Sequence, residues 1–449
     1  MARWWAIPVI ASLATGVALT FAPLVAAVAV VSVLALVLLR RRGAMAAGLL
    51  VAAAPLSRPN VLGEMFAEVG LGLAIAAAIF AVLDDHEKNG SSKRVLTTFG
   101  TGRLPALLGL AYIAALATAL PAELPAMYMS ALLTIGTVAA AIVVLRDGER
   151  RQLAARWFVG LVVAACLSYA ATVSLWLLTS PGTGRLMVVG QGELYFPATP
   201  TLGSVNVAGV ALPRFTGLGR EPGWMGMYAG FAYLLAEKVR LTGRLPRAAL
   251  LAGMVGTFST GAFGVFVLAW TVDRFLRRGR RGLTRAFGLV AMVCSVWLAW
   301  AAPVLGVSDK AQADRYSVGA RQAATEVGLR ALAEDPFSGG QGAQVVGGVN
   351  LIAAIAAHGL MFSILILLAL VAPRLGHPQK WLTTGPILML VGTLLVAQPP
   401  MASTWVFVAA AMAYTVAATP VDGPAPVEAS HVPWGANAEA GRQPPVRAG

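Results

Sequence analysis

Two arginines and a carboxylate crowd into the stretch 214–223, which holds Arg214, Gly217, Arg220, Glu221 and Pro222 just ahead of an apolar run beginning at Trp224. Charged groups at the mouth of a membrane helix are costly and are generally kept for function. A guanidinium is a permanent cation whose planar fork of donors matches phosphate oxygens in pairs. A carboxylate or imidazole within reach can take the proton of a hydroxyl. Together these groups suit an anionic, diphosphate-bearing substrate at a membrane surface. Arg214, Arg220 and Arg321 are the candidates to hold the diphosphate and to stabilise charge developing on it as it leaves. Glu221 and His358 are the candidate bases. No Asp-x-Asp or comparable acidic cluster stands in an outward segment, so the sequence gives no sign of a metal-dependent mechanism, and no cofactor is expected.

Each group also has a plainer use. Glu221 can pair with Arg214 or cap the helix it precedes. Arg315 fits a surface or headgroup contact as well as a substrate contact. His358 can hydrogen-bond a neighbouring helix. It also stands about nine residues, or about 14 Å, into its predicted helix, and so needs a water-filled cavity to reach a substrate. Glu221 needs none and is the favoured base. Glu64 and Glu68, one turn apart, read as an exposed helix start before they read as sugar contacts.

The elements that must position these groups are membrane helices. Apolar residues make up 58% of the chain and charged ones 12%, half the charged share of a soluble domain. The predicted fold is an all-α, polytopic transmembrane bundle of about 12–14 membrane helices with two large outward-facing loops. Crossings are predicted at 4–20, 22–39, 44–57, 65–83, 104–121, 127–145, 157–179, 223–236, 248–258, 261–275, 286–304, 349–372, 382–398 and 404–418. The short pair 248–258 and 261–275 can instead form a re-entrant element buried in protein. The first run is not read as a cleaved signal peptide, because a second apolar run follows it directly.

The net charge of +14 lies in short clusters between apolar runs, which is the pattern of cytoplasmic loops and not of a nucleic-acid binder. With both termini cytoplasmic, most of the 34 Lys and Arg fall inside. Both long loops, about 180–222 and 306–348, then face outward. The first is expected to be irregular, with a hairpin at most. The second carries an amphipathic helix over about 315–332 that suits the membrane face. The membrane domain is predicted over 1–419, and the Pro-, Ala- and Gly-rich tail 420–449 is expected to be disordered and cytoplasmic. Cys166 and Cys294 both lie in apolar runs, which leaves no disulfide framework or Cys-based metal site.

The spacing Arg214, Gly217, Glu221, Pro222 ahead of an apolar helix resembles a motif of the bacterial O-antigen ligase and polymerase family. Ser259-Thr260-Gly261 is similar to the family's turn after a short helix. Arg321, followed by a helix and then by Pro336, Gly340 and Gly342, resembles its second outer loop. Asn350 opens the next helix, with Val349 where the ligases carry a His and His358 near the place of a later acid. The likeness spans roughly 180–372. It implies an inverting, metal-independent glycosyltransferase in the bacterial inner membrane that joins polyprenyl-diphosphate-linked oligosaccharides on the outer face. A polysaccharide polymerase comes first. A ligase transferring the glycan to a lipid or other acceptor comes second, and a transporter is the non-enzyme rival. Arg214, Arg321, Glu221 and His358 would be catalytic, and Arg220, Arg315, Gly217 and Asn350 would contact substrate. Expected partners are the lipid-linked donor, a glycan or lipid acceptor, membrane lipids and other polysaccharide-assembly proteins, with no nucleic acid.

Overall fold

The computed structural model of the chain describes residues 42–56, 66–89, 103–178, 187–189, 192–195, 199, 201–207, 209–219, 221–239, 241, 243–278, 290, 293, 315–339, 350–375, 383–396 and 398–417. The predicted crossings 4–20 and 22–39, nearly all of 286–304 and the predicted tail 420–449 lie outside the described residues.

The described residues are mostly helical. In chain order the helices are α1 Arg42–Ala52, α2 Phe66–Asn89, α3 Arg103–Thr118, α4 Leu124–Leu145, α5 Gly148–Leu178, α6 Pro222–Ala236, α7 Arg244–Gly256, α8 Thr260–Arg278, α9 Arg315–Glu334, α10 Ala353–Leu375, α11 Thr384–Val396 and α12 Thr404–Ala417. Their bounds follow the apolar runs, because a run longer than a strand can satisfy its backbone in lipid only as a helix. Pro125 and Pro222 fit the first turns of α4 and α6, where a missing N–H costs nothing.

Among the described residues four helices are long and apolar enough to cross a membrane: Ala67–Lys88, Leu124–Leu145, Gly148–Leu178 and Ala353–Ala372. Others predicted as crossings are shorter apolar helices of 10–17 residues, Arg103–Thr118 and Thr404–Val416 among them. At 1.5 Å per residue these reach at most about 25 Å, against about 30 Å of hydrocarbon. The run 44–57 ends its α-helix early, at Ala52, and closes in a 3-10 turn at Ala54–Leu56 around Pro55. Large apolar side chains stand exposed in rows, such as Ile75 and Ile79 on α2, Leu110 and Ile113 on α3, and Tyr128 and Leu132 on α4. Such rows on water-facing helices would be anomalous, and they fit a helical membrane protein.

Helix α6 is the centre of the bundle. It is apolar all round and is buried along nearly its whole length, Trp224, Met227 and Phe231 included. It packs on α5, α7, α8 and α11. Gly226 and Gly230, one turn apart, let Ala262 and Phe266 of α8 and Met389 of α11 approach its backbone. Phe158 of α5 stacks on Trp405 of α12 at 5.9 Å and meets Tyr228 and Phe231 of α6 edge-on at 6.0 Å. The Trp405 indole N–H donates to the Ala53 carbonyl at 3.1 Å, which ties the end of α1 to the same core.

Among its described residues the first long loop is more regular than expected. It folds as four antiparallel strands in a meander, β1 Met187–Val189, β2 Gly192–Tyr195, β3 Thr201–Val207 and β4 Val210–Phe215, so the protein is not purely helical. Alternation of apolar and polar residues over 201–215 gives the sheet one face to bury. That face docks on the end of α5, where Tyr169 donates to the Pro213 carbonyl at 2.7 Å and Trp176 Nε1 to the Ala211 carbonyl at 2.9 Å.

Candidate functional site

The chain carries its candidate groups on two packing units that share α11 as a neighbour, one around α6 and the other around α10. In the first unit, strand alternation buries Pro213 and Phe215 and sends Arg214 to the opposite, partly exposed face of β4. Phe215 stacks on Tyr169 at 4.6 Å and anchors the strand end beside Arg214. The chain then turns back at Gly217, whose φ of 47° lies in the left-handed region. A Cβ there would come within 2.7 Å of the Phe215 ring and 2.8 Å of Met225 Sδ. Gly217 therefore shapes the turn and faces protein, which differs from the expected substrate contact.

Glu221 occupies the N-cap position of α6 with extended backbone, φ −135° and ψ 160°. Its carbonyl accepts the Trp224 N–H at 3.0 Å and the Met225 N–H at 3.3 Å, while its side chain makes no capping hydrogen bond. The side chain is half-buried at the mouth of this buried helix. The Thr257–Ser259 turn between α7 and α8 packs beside this point: Gly223 lies against Ser259 Oγ, and Gly226 against Thr257 Oγ1. Thr257, Ser259 and Thr260 are all buried, so the α7–α8 pair turns inside protein. Two motifs that are about 40 residues apart in sequence thus meet at one helix start, as a buried re-entrant turn allows. Arg220 lies outside the described residues.

The second unit is built on α9 and α10. Helix α9 matches the predicted amphipathic segment, but its buried face is made of small residues. Ala324 and Gly328 lie against Ala353 and Ala356 of α10, and Gly328 touches the Ile352 carbonyl so closely that a Cβ has no room. The larger apolar residues Val327, Leu329 and Leu332 stand exposed, as does Phe337 just beyond the helix. That arrangement suits a helix resting in a membrane interface. Arg321 is half-buried and shares a helix face with Thr325 and Gly328. Arg315 opens the helix, and its side chain lies outside the described residues.

Asn350 is 3% exposed, and both ends of its amide are occupied within the protein. Oδ1 accepts the Ala353 N–H at 2.8 Å as the cap of α10, and Nδ2 donates to Thr325 Oγ1 at 3.0 Å. The expected substrate contact is therefore, in this structure, a helix cap.

Helix α10 is broken. Gly359 has φ 78° and ψ 163°, which interrupts the helix directly after His358. The turn that follows α9 fills the break: the Leu360 N–H donates to the Pro336 carbonyl at 2.7 Å, and Gly339 packs against Thr118 of α3 and the Gly359 backbone. His358 is 8% exposed, its ring meets Phe362 edge-on at 5.0 Å, and its Nδ1 has no hydrogen-bond partner. Because α10 starts at Ala353 and not at 349, His358 lies only about 8 Å along it. The depth argument against His358 is accordingly weaker than the sequence suggested.

The sequence marks a helix stop and tight turn from Asp335, and α9 ends there, at Glu334. The break at Gly359 went unread, a Gly inside an apolar run being its one local signal. Among the described residues no group of three His, Cys, Asp or Glu side chains is placed to hold a metal ion. The chain matches no protein-family model, and no curated protein matches it.

Proposed function

We propose that this chain is a membrane glycosyltransferase that joins polyprenyl-diphosphate-linked glycan units, acting as a repeat-unit polymerase on the outer face of a bacterial inner membrane. One observation supports the reading: Glu221 stands at the mouth of the buried helix α6, beside the buried Thr257–Thr260 turn, and Arg214 lies on the partly exposed face of β4, the strand that leads into it. In a helical membrane protein, groups of this kind at such a point read as substrate ligands first. The reading takes about 12–14 membrane helices, with both termini inside and both long loops outside, on the strength of the Lys and Arg asymmetry.

In the reaction, an acceptor hydroxyl attacks the anomeric carbon from the face opposite the diphosphate. The new C–O bond forms as the bond to the diphosphate oxygen breaks, and the lipid diphosphate departs with the electron pair. Arg214 and Arg321 stabilise that charge by paired hydrogen bonds. Glu221 takes the hydroxyl proton, with His358 as the second candidate.

A deletion strain that accumulates single lipid-linked repeats supports the polymerase. Full-length polymer left unattached moves the assignment to a ligase. In a purified assay with lipid-linked donor, Arg214→Lys and Arg321→Lys are expected to lose most turnover at normal expression, since an ammonium cannot form the fork. Full turnover in both removes the arginines from the site. A transporter is the second reading, favoured by the break in α10, because discontinuous helices line many transport sites. Flux of lipid-linked glycan across vesicles without chain growth would establish it.

A further inference from the structure

Helix α9 is clasped to α10 at two points. At the first, Asn350 caps α10 through Oδ1 and donates through Nδ2 to Thr325 Oγ1. The Thr325 hydroxyl donates in turn to the Arg321 carbonyl, one helical turn back, at 2.8 Å. At the second, the strap that follows α9 accepts the Leu360 N–H at the break beside His358. Between the two points Gly328 lies so close to the Ile352 carbonyl that no side chain fits there.

The geometry points to Asn350 and Thr325 as positioning residues for Arg321, forming a relay that fixes the Arg321 turn against the start of α10. This rests on the reading of Arg321 as a diphosphate ligand. Asn350 is buried, so the relay is shielded from water, where hydrogen bonds hold their geometry best. Thr325 both accepts and donates, which neither Val nor Ala can do. A misplaced ligand costs rate steeply, about a hundredfold for an ångström.

Asn350→Asp separates the two tasks of the amide. It keeps an acceptor for the Ala353 N–H and so keeps the cap, but it loses the donor to Thr325. In a purified assay with polyprenyl-diphosphate oligosaccharide, Asn350→Asp and Thr325→Val are expected to lower kcat/KM for the donor about tenfold. Thermal midpoints should stay near wild type. Thr325→Ser should retain turnover, and amide exchange over 321–328 should quicken in Asn350→Asp and Thr325→Val but not in Thr325→Ser. On an Arg321→Lys background, where the fork is already gone, Asn350→Asp should add little further loss. Loss of turnover in Arg321→Lys with wild-type kcat/KM in both Asn350→Asp and Thr325→Val overturns the relay and leaves the diphosphate reading standing. So does an equal, additive loss on the Arg321→Lys background. Full turnover in Arg321→Lys overturns the diphosphate reading and the relay with it. Should Asn350→Asp not fold, the contrast between Thr325→Val and Thr325→Ser decides.

Discussion

Buried polar groups are handled in opposite ways at two places in this protein. Where α1, α2 and α5 end together, on the side predicted to be cytoplasmic, charges answer one another. Arg150 is 1% exposed, and its Nη1 meets Asp84 Oδ2 at 2.7 Å and Asp85 Oδ1 at 2.9 Å. It also donates to the carbonyls of Ala81 and Val144 at 3.2 Å. Asp147 caps α5 by accepting the N–H groups of Glu149 and Arg150, and Lys88 bridges Asp84 and Glu149 at the rim. Around α10, by contrast, His358 is nearly as buried and keeps a ring nitrogen with no partner beside a break in the helix. Ion pairs make a closed set of charges that ties these helices together, although Arg150 Nη2 itself has no hydrogen-bond partner. The His358 imidazole has no such ion pairs and sits next to broken backbone, an arrangement that a buried polar group seldom keeps without a reason.

The largest effect is expected where the closed set is cut. Arg150→Met leaves Asp84 and Asp85 facing each other without their cation, and removing one partner of a buried pair costs about 3–5 kcal/mol. That is a large part of an ordinary folding free energy. Thermal unfolding in detergent should show a marked fall in midpoint and yield, with activity falling only as folded protein falls. A stable, inactive Arg150→Met protein would move Arg150 from the scaffold to the site.

The candidate bases should respond in the reverse sense, with activity lost and stability kept. Glu221→Gln preserves size and hydrogen bonding but not proton acceptance, and it is expected to lower turnover by about a hundredfold or more. His358→Gln should leave measurable turnover. Both are read in the purified assay alongside thermal midpoints. The opposite ranking would assign the base to His358, in keeping with the strap that brings the segment after α9 to its level.

The smallest effect sharpens the contrast within the closed set itself. Lys88 reaches Asp84 at 3.1 Å, but its side chain is 46% exposed. Exposed pairs are worth about 0–1 kcal/mol. Lys88→Ala should therefore shift the midpoint only slightly, and a drop comparable to Arg150→Met would mean that the cluster acts as one unit.

The sequence by itself determined the helices and the class. Apolar runs and their Pro, Gly and charged ends depend only on neighbouring residues, so the bounds of α4, α6 and α12 lie within a few residues of the predicted runs. The amphipathic segment that became α9 was legible for the same reason. Arg214 and Glu221 could be singled out because a charge beside an apolar run is visible in one dimension, and Arg321 by its place in the second loop ahead of Pro336 and its glycines.

What the tertiary structure decided is everything that needs a partner far away in the chain. The sheet at 187–215 exists because α5 offers Tyr169 and Trp176 to its buried face, and no local pattern announces such a dock. Gly359 reads as one more small residue in an apolar run. It is a break only because Pro336 arrives to take the Leu360 N–H. Asn350 looked like a substrate ligand until Ala353 and Thr325 occupied both ends of its amide. A polar side chain shows its type in sequence, but its hydrogen-bond partners are fixed only when the chain has folded, and those partners separate a scaffold residue from one left open.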